Sequence, residues 1–87
     1  MALSRLLVKS SAAKELEAEG AKADRHRIVG KIHALASDPR PQGSEKLAGY
    51  DDRYRIRQGN YRLVYLIDDQ AGVVTIYKVG HRKDIYR

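Results

Sequence analysis

The spacing of hydrophobic positions predicts one strand and a first helix at the start of the chain. Residues 3–8 are mostly apolar and predict a short strand. A helix is predicted over residues 12–19, because Ser10 or Ser11 can cap its first turn and Gly20 can end it. This segment is therefore expected to lead from a strand straight into a helix.

A second, longer helix is predicted from near Asp24 until Pro39 and Pro41 end it. Apolar side chains recur along this segment at helical spacing and form one stripe. The stripe consists of Ile28, Val29, Ile32, Leu35 and Ala36. Two short helices after one strand predict a helical hairpin that packs across a sheet.

After a loop rich in Pro, Gly and Ser at residues 38–52, the pattern changes to strands. Alternating or β-branched residues predict strands over 53–58, 61–68 and 73–79. Gly59-Asn60 separates the first two strands, and Gly in the first position predicts a two-residue type II′ turn. The expected fold is α+β, of order β-α-α-β-β-β, with the helical hairpin on one face of a small, twisted, mainly antiparallel sheet.

The two-residue turn decides which side chains of this hairpin share a face, because side chains alternate along each strand. It places Arg57 directly opposite Arg62. The predicted apolar face of the hairpin consists of Tyr54, Ile56, Leu63 and Tyr65. The predicted opposite face consists of Arg53, Arg55, Arg57, Arg62 and Val64. The third strand is expected to add Tyr77 and Val79 to the arginine face and to turn Val74 and Ile76 toward the core.

The opposed arginines carry a functional hypothesis. Like charges that face each other across a sheet destabilise it. We therefore predict that a bound anion offsets the repulsion between Arg57 and Arg62. The alternative is a solvated sheet face, on which each arginine pairs with water or with an acid such as Asp51 or Asp52.

Composition narrows the class of partner. Seventeen Lys and Arg against eleven Asp and Glu give a net charge of +6, which favours an anionic partner such as nucleic acid. The absence of cysteine excludes disulfide and thiolate chemistry. No apolar run approaches the roughly 18 residues that span a bilayer, and no signal peptide is indicated. We expect one cytoplasmic domain, residues 1–87, that does not contact a membrane.

The candidate chemistry is transesterification of RNA without a metal or another cofactor. His26, His33 and His81 lack the spacing of metal ligands, and no carboxylate cluster accompanies them. A cationic surface edged by tyrosines suits RNA binding, or RNA cleavage by attack of a ribose 2′-hydroxyl on the adjacent phosphate. Arginine forks can neutralise charge on that phosphate, but arginine is a poor general base because its pKa exceeds about 12.

Four segments resemble the RelE branch of the RelE/ParE toxin superfamily. They are KLAG at 46–49, YRIR at 54–57, GNYRLVY at 59–65 and VGHRKDIY at 79–86. The resemblance covers nearly the whole chain and implies a RelE-like fold. RelE-type toxins are messenger-RNA interferases that cut the codon in the ribosomal A site, leaving a 2′,3′-cyclic phosphate and a 5′-hydroxyl. The resemblance also implies an antitoxin similar to RelB, which wraps around the toxin and often displaces its C-terminal segment. The toxin–antitoxin complex is then expected to bind operator DNA.

The resemblance assigns catalytic roles residue by residue. The two basic positions on the first meander strand correspond to Arg55 and Arg57. Arg62 is expected to hold the phosphate, and Arg82 to stabilise the transition state or assist the leaving 5′-oxygen. Tyr86 is expected to orient the substrate nucleotide or stack on it.

Contacts with the message or with ribosomal RNA in the 70S ribosome are expected from five further residues. These are Lys46, Arg53, Tyr77, His81 and Lys83. The best-studied members carry lysine where Arg55 and Arg57 stand, and an arginine practically cannot lose its proton. His81 could serve as the base instead, the alternative being a structural or rRNA-contacting role.

The sequence is compatible with two other functions. ParE-type toxins share the fold and inhibit DNA gyrase without cutting RNA, but they generally lack the arginine and tyrosine constellation. A non-catalytic RNA-binding module would also use a basic sheet with exposed tyrosines.

Overall fold

A mixed five-stranded sheet carries both helices on one face, in a computed structural model that describes residues 5–18 and 22–81. The elements are β1 (Arg5–Val8), α1 (Ser10–Glu17), α2 (Lys22–Ser37), β2 (Glu45–Lys46), β3 (Arg53–Gln58), β4 (Tyr61–Asp68) and β5 (Val73–His81). The strand order is β1-β5-β4-β3-β2. β1 runs parallel to β5, and the other neighbours are antiparallel. The predicted α+β class is confirmed.

The β3–β4 hairpin has the register that its turn predicts. Arg57 lies opposite Arg62, and Tyr54 lies opposite Tyr65. Gly59 has a φ of 61°, and among the described residues only glycines have a positive φ. A type II′ turn needs a positive φ at its first central residue alone, whereas type I′ needs it at both, so the predicted turn type is confirmed.

The core lies between the helices and the apolar face of the sheet. From the helices it takes Ala12, Ile28, Ile32 and Leu35, all of them buried. From the sheet it takes Ile56, Leu63, Tyr65, Ile67, Val74, Ile76 and Val79. Burial of these apolar side chains is the main favourable contribution to folding. Neither described helix is long and apolar enough to cross a membrane.

Two predictions about the helices are wrong in detail. α1 begins at Ser10 rather than at residue 12, its N-cap is Lys9, and no side chain caps it. The Lys9 N–H donates to the carbonyl of Ile76 at 2.9 Å, so the chain enters the helix as soon as it leaves the strand pair. On α2, Val29 is 37% exposed and lies at the edge of the stripe, because the sheet covers only the Ile28, Ile32 and Leu35 side of the helix. Gly20 lies outside the described residues.

β5 differs most from its prediction, because it contains a bulge. Val64 pairs with Lys78 while the next residue, Tyr65, pairs with Ile76, so Tyr77 is an extra residue on β5. The insertion shifts the alternation by one residue. Val79, predicted for the arginine face, is consequently buried in the core.

α1 supplies a hydrogen-bond acceptor to β5 just beyond the bulge. The backbone N–H of Val79 donates to Oε1 of Glu15 at 3.1 Å. β1 pairs with β5 only as far as Ile76, so no described strand lies beside this edge of β5 at Val79. A partly buried N–H without a partner is costly. Glu15 therefore supplies an acceptor that the neighbouring strand does not provide.

The loop after α2 is fixed to the sheet by a tyrosine and an arginine. The buried Tyr65 hydroxyl donates to the carbonyl of Pro39 at 2.8 Å, and burial raises the pKa of this hydroxyl. Arg40 donates to both carboxylate oxygens of Asp69, at 3.1 and 2.8 Å, and through Nε to the Tyr54 hydroxyl at 3.2 Å. These bonds hold the loop against β3 and the β4–β5 turn.

The Arg40–Asp69 pair predicts a pH-dependent stability. Its hydrogen bonds hold the pKa of the Asp69 carboxyl below the ordinary value. The stabilisation is thus present above the unfolded pKa of about 4 and is lost as the pH falls through the lower folded pKa. Asp69→Asn should be slightly less stable than the parent at neutral pH, because both groups are largely exposed, and the difference should shrink in acid.

Urea unfolding at pH 7 and pH 3 in low salt measures this difference. Asp51→Asn removes the same charge from another exposed loop position and is the matched control. A stability difference for Asp69→Asn that stays constant between the two pH values would contradict the assignment.

Candidate active site

Three arginines from the β3–β4 hairpin meet on the sheet face that the helices leave open. Arg55, Arg57 and Arg62 line one cleft of about 120 Å³, together with Gly43, Glu45 and Ile56. The register brings them there, since Arg57 faces Arg62 and Arg55 is two residues from Arg57 on the same side of β3. The convergence predicted from the sequence is therefore present for positions 55, 57 and 62.

Backbone carbonyls near the turn orient two of these guanidinium groups. Nε of Arg57 donates to the carbonyl of Gly59, and Nη1 of Arg62 donates to the carbonyl of Tyr61, each at 3.2 Å. An arginine has five N–H donors, so one such bond to Arg57 leaves most of the fork available to a ligand. The two positive groups are held at directly opposed positions by the fold itself.

The third arginine has an acidic partner that sequence reasoning missed. Nη2 of Arg55 lies 3.0 Å from Oε2 of Glu45, on the short edge strand β2. The sequence signal was weak, because β2 has only two residues inside a segment predicted as loop. With three arginines and one glutamate, the cleft lining has a formal charge of three minus one, or +2.

The structure distributes the other candidate residues over both faces. Arg53 and Tyr77 lie on the open face, where the Arg53 guanidinium carbon is 5.0 Å from the centre of the Tyr77 ring. Lys46 pairs with Tyr54, which places it beside the face turned to the helices. Arg82, Lys83 and Tyr86 lie outside the described residues.

His81 is not brought into the arginine cleft. It pairs with Tyr61, which packs against the core, and the two rings meet edge to face with centroids 5.5 Å apart. Because Tyr61 and Leu63 share a face of β4, His81 lies across the sheet from Arg62. The bulge in β5 and the Tyr61 contact thus separate His81 from the residues that the resemblance groups with it.

Comparison with known proteins shows the family to which the chain belongs. Residues 6–86 match the family model described as the ParE toxin of the type II toxin-antitoxin system parDE. The chain belongs to the RelE/ParE toxin superfamily. Toxin RelG of Mycobacterium tuberculosis (strain ATCC 25618 / H37Rv) is 34% identical to this toxin over 76 residues, which cover 77% of this chain and 87% of RelG.

Solved structures agree with the sequence matches. The toxin–antitoxin complex RelBE2 of M. tuberculosis matches with a TM-score of 0.81 at 25% identity, covering 94% of each chain. A doubly substituted E. coli RelE in the free state matches with a TM-score of 0.78 at 30% identity, covering 97% of this toxin and 90% of that chain. The RelE–RelB complex of Pyrococcus horikoshii matches with a TM-score of 0.81 at 28% identity, covering 92% of this toxin and 96% of that chain. The toxin is therefore a RelE-type member of a type II toxin-antitoxin system.

The opposed arginines predict that an oxyanion stabilises the folded toxin. A ligand that binds only the native state stabilises it by RT ln(1 + [L]/Kd), about 1.4 kcal/mol at ten times Kd. For a domain of this size that corresponds to a rise in thermal midpoint of several degrees. Phosphate should produce this rise relative to chloride at equal ionic strength, and Arg57→Gln should reduce it.

Arg27→Gln is the matched control, since Arg27 is an exposed arginine on α2. This variant also shows how much of the effect is the general stabilisation that phosphate gives to any folded protein. An equal phosphate effect in both variants would argue against an anion site at the cleft.

Proposed function

We propose that this toxin is a ribosome-dependent endoribonuclease that cuts messenger RNA in the ribosomal A site. The observation that carries the proposal is the convergence of Arg55, Arg57 and Arg62 on one cleft of the open sheet face. A surface of this charge, on a toxin of the RelE type, fits a phosphodiester as substrate.

The proposed reaction needs no group beyond the RNA and the protein. The 2′-oxygen of a ribose forms a bond to the adjacent phosphorus, and the bond from phosphorus to the 5′-oxygen breaks. The products are a 2′,3′-cyclic phosphate and a 5′-hydroxyl, with one proton leaving the 2′-oxygen and one reaching the 5′-oxygen. Arg57 and Arg62 would stabilise the negative charge that develops on the phosphate oxygens, because guanidinium forks can bind two oxygens at once.

Glu45 is the group in the cleft that fits the proton-accepting role. Arginine does not lose its proton near neutral pH, and His81 lies on the other face of the sheet. A carboxylate can take the 2′-hydroxyl proton, and Glu45 lines the same cleft as the three arginines. Its bond to Arg55 would orient the carboxylate before substrate binds.

The C-terminal residues complete the site in this proposal, on the strength of the resemblance. Arg82 would stabilise the transition state or assist the leaving 5′-oxygen, and Tyr86 would orient the nucleotide or stack on it. Lys46, His81 and Lys83 would contact ribosomal RNA or the message at the margins of the site.

The proposed partners are those of RelE-type toxins. The matched structures from M. tuberculosis and P. horikoshii are toxin–antitoxin complexes, the latter of RelE with RelB. We expect an antitoxin similar to RelB to neutralise this toxin, and the complex to bind operator DNA. The site of action would be the cytoplasm, on the 70S ribosome.

Gyrase inhibition is the second candidate, because the matching family model is described as ParE. The arginine cleft favours RNA cleavage over this alternative, since gyrase inhibition requires no phosphodiester site on the toxin. The two functions leave different lesions in the cell, namely cut messages and broken DNA.

Mapping of message 5′ ends after a short induction tests the proposed function. The parent should produce new 5′-hydroxyl ends within translated codons, and Arg62→Ala should reduce them by at least about 10²-fold while the protein stays folded. Lys14→Gln, on exposed α1 surface, is the control and should cleave like the parent. DNA breaks without new message ends would identify a gyrase inhibitor instead.

The role of Glu45 is tested by the pH dependence of cleavage on programmed ribosomes. Glu45→Gln removes the basic group but keeps an oxygen that can accept from Arg55. Loss of a general base typically lowers the rate 10² to 10⁴-fold. The acidic limb of the pH–rate profile, which is the fall in rate caused by protonation of the base, should disappear as well. A variant that retains the parental acidic limb would show that Glu45 only positions Arg55.

A further inference from the structure

A second surface on the open face lies beside the arginine cleft and takes no part in the proposed reaction. It is a row of four side chains in which cations alternate with tyrosine rings, and we call it the stacking row. Lys9 Nζ lies 4.0 Å from the centre of the Tyr77 ring. The guanidinium carbon of Arg53 lies 5.0 Å from the Tyr77 ring and 4.3 Å from the Tyr50 ring.

The fold brings these residues together from four separate segments. Lys9 follows β1, Tyr77 is the extra residue of β5, Arg53 begins β3, and Tyr50 lies in the loop before it. Since β1 and β3 are separated by β5 and β4, the row crosses roughly 14 Å of sheet at the usual strand spacing. Tyr77 reaches the open face by simple alternation from Ile76, and the bulge then returns Val79, two residues later, to the core.

The cations of the row keep their charge available for a ligand. Within residues 5–18 and 22–81, Lys9 and Arg53 form no ion pair, whereas Arg40 and Arg55 each bind a carboxylate. Their contacts are with aromatic rings, which hold a cation in place without neutralising it. At the end of the row, Tyr50 is 48% exposed and offers part of its ring to solvent.

Resting on the proposed function, we infer that the stacking row binds the unpaired nucleotides that flank the scissile phosphate of the message. A base stacks on the exposed Tyr50 ring, and backbone phosphates contact Arg53 and Lys9. Proteins that bind single-stranded nucleic acid combine these two features, an aromatic platform and a positive groove along the backbone.

Continuity with the cleft favours the message as the occupant. Arg53 and Arg55 are two residues apart on the same side of β3, a distance of about 7 Å along the strand. A strand whose phosphate lies among the cleft arginines therefore passes directly onto the row. The row would add affinity and hold the strand in line, while the cleft performs the chemistry.

Binding of a 2′-O-methylated oligoadenylate to the full toxin tests the inference, because this probe cannot be cleaved at the 2′-oxygen. A second probe has the same backbone but lacks bases. Tyr50→Leu should weaken binding of the oligoadenylate by about tenfold or more, as expected for a lost stacking contact, and should leave the abasic probe unaffected. Arg53→Gln should weaken both probes and lower the salt dependence of binding by about one phosphate contact.

Controls separate this inference from the nuclease and from folding. Lys14→Gln removes one charge from α1, on the other side of the sheet, and should bind both probes like the parent apart from a small general charge effect. Thermal midpoints identify any variant that fails to fold, and the exposed position of Tyr50 keeps Tyr50→Leu informative if Tyr77→Leu unfolds.

Three outcomes decide the matter. Equal binding of the oligoadenylate by the parent and Tyr50→Leu would overturn the inference. So would row variants that bind RNA normally but lose affinity for the antitoxin, since the row would then be a protein interface. Row-dependent binding of bases by a toxin that cuts no message would refute the nuclease while supporting the row as an RNA surface.

Discussion

The two-residue turn at Gly59-Asn60 is the constraint on which both the core and the candidate site depend. With a period of two along each strand, one register assigns every side chain of the hairpin to a face. The same register that buries Ile56, Leu63 and Tyr65 also gathers Arg55, Arg57 and Arg62 on the other side. Core and candidate site therefore cannot be changed independently, because a slip of one residue would expose the first set and bury the second.

The site gathers like charges at a cost to the fold, and the surrounding structure offsets that cost. Arg57 and Arg62 oppose each other directly, which is unfavourable without a ligand. Backbone carbonyls and Glu45 compensate for part of it. Elsewhere, the buried Tyr65 hydroxyl and the Arg40–Asp69 pair fix the loop after α2, so the sheet that carries the arginines is supported on its other side. Charge held in place by a rigid sheet is the arrangement that electrostatic catalysis requires.

A single extra residue in β5 determines which side chains near its end face the core and which face the open side of the sheet. Upstream of the bulge the alternation places Val74 and Ile76 in the core, and downstream it places Val79 there. Tyr77 stays on the open face, where it joins Arg53 and Lys9, while His81 moves to the face of Tyr61. Beyond the end of β1, Glu15 on α1 accepts from the Val79 N–H, which no described strand accompanies on that side.

The sequence by itself determined the α+β class, the order of the main elements, the hairpin register and the grouping of three arginines. It could do so because alternation and a two-residue turn are local patterns that require no knowledge of distant contacts. Only the tertiary structure decided the short strand β2 with Glu45, the bulge that redirects Val79 and His81, and the row that joins Lys9 to Tyr50. The short strand and the row depend on contacts between separate elements, such as Glu45 of β2 with Arg55 of β3 or Lys9 after β1 with Tyr77 of β5, and no local periodicity encodes such contacts.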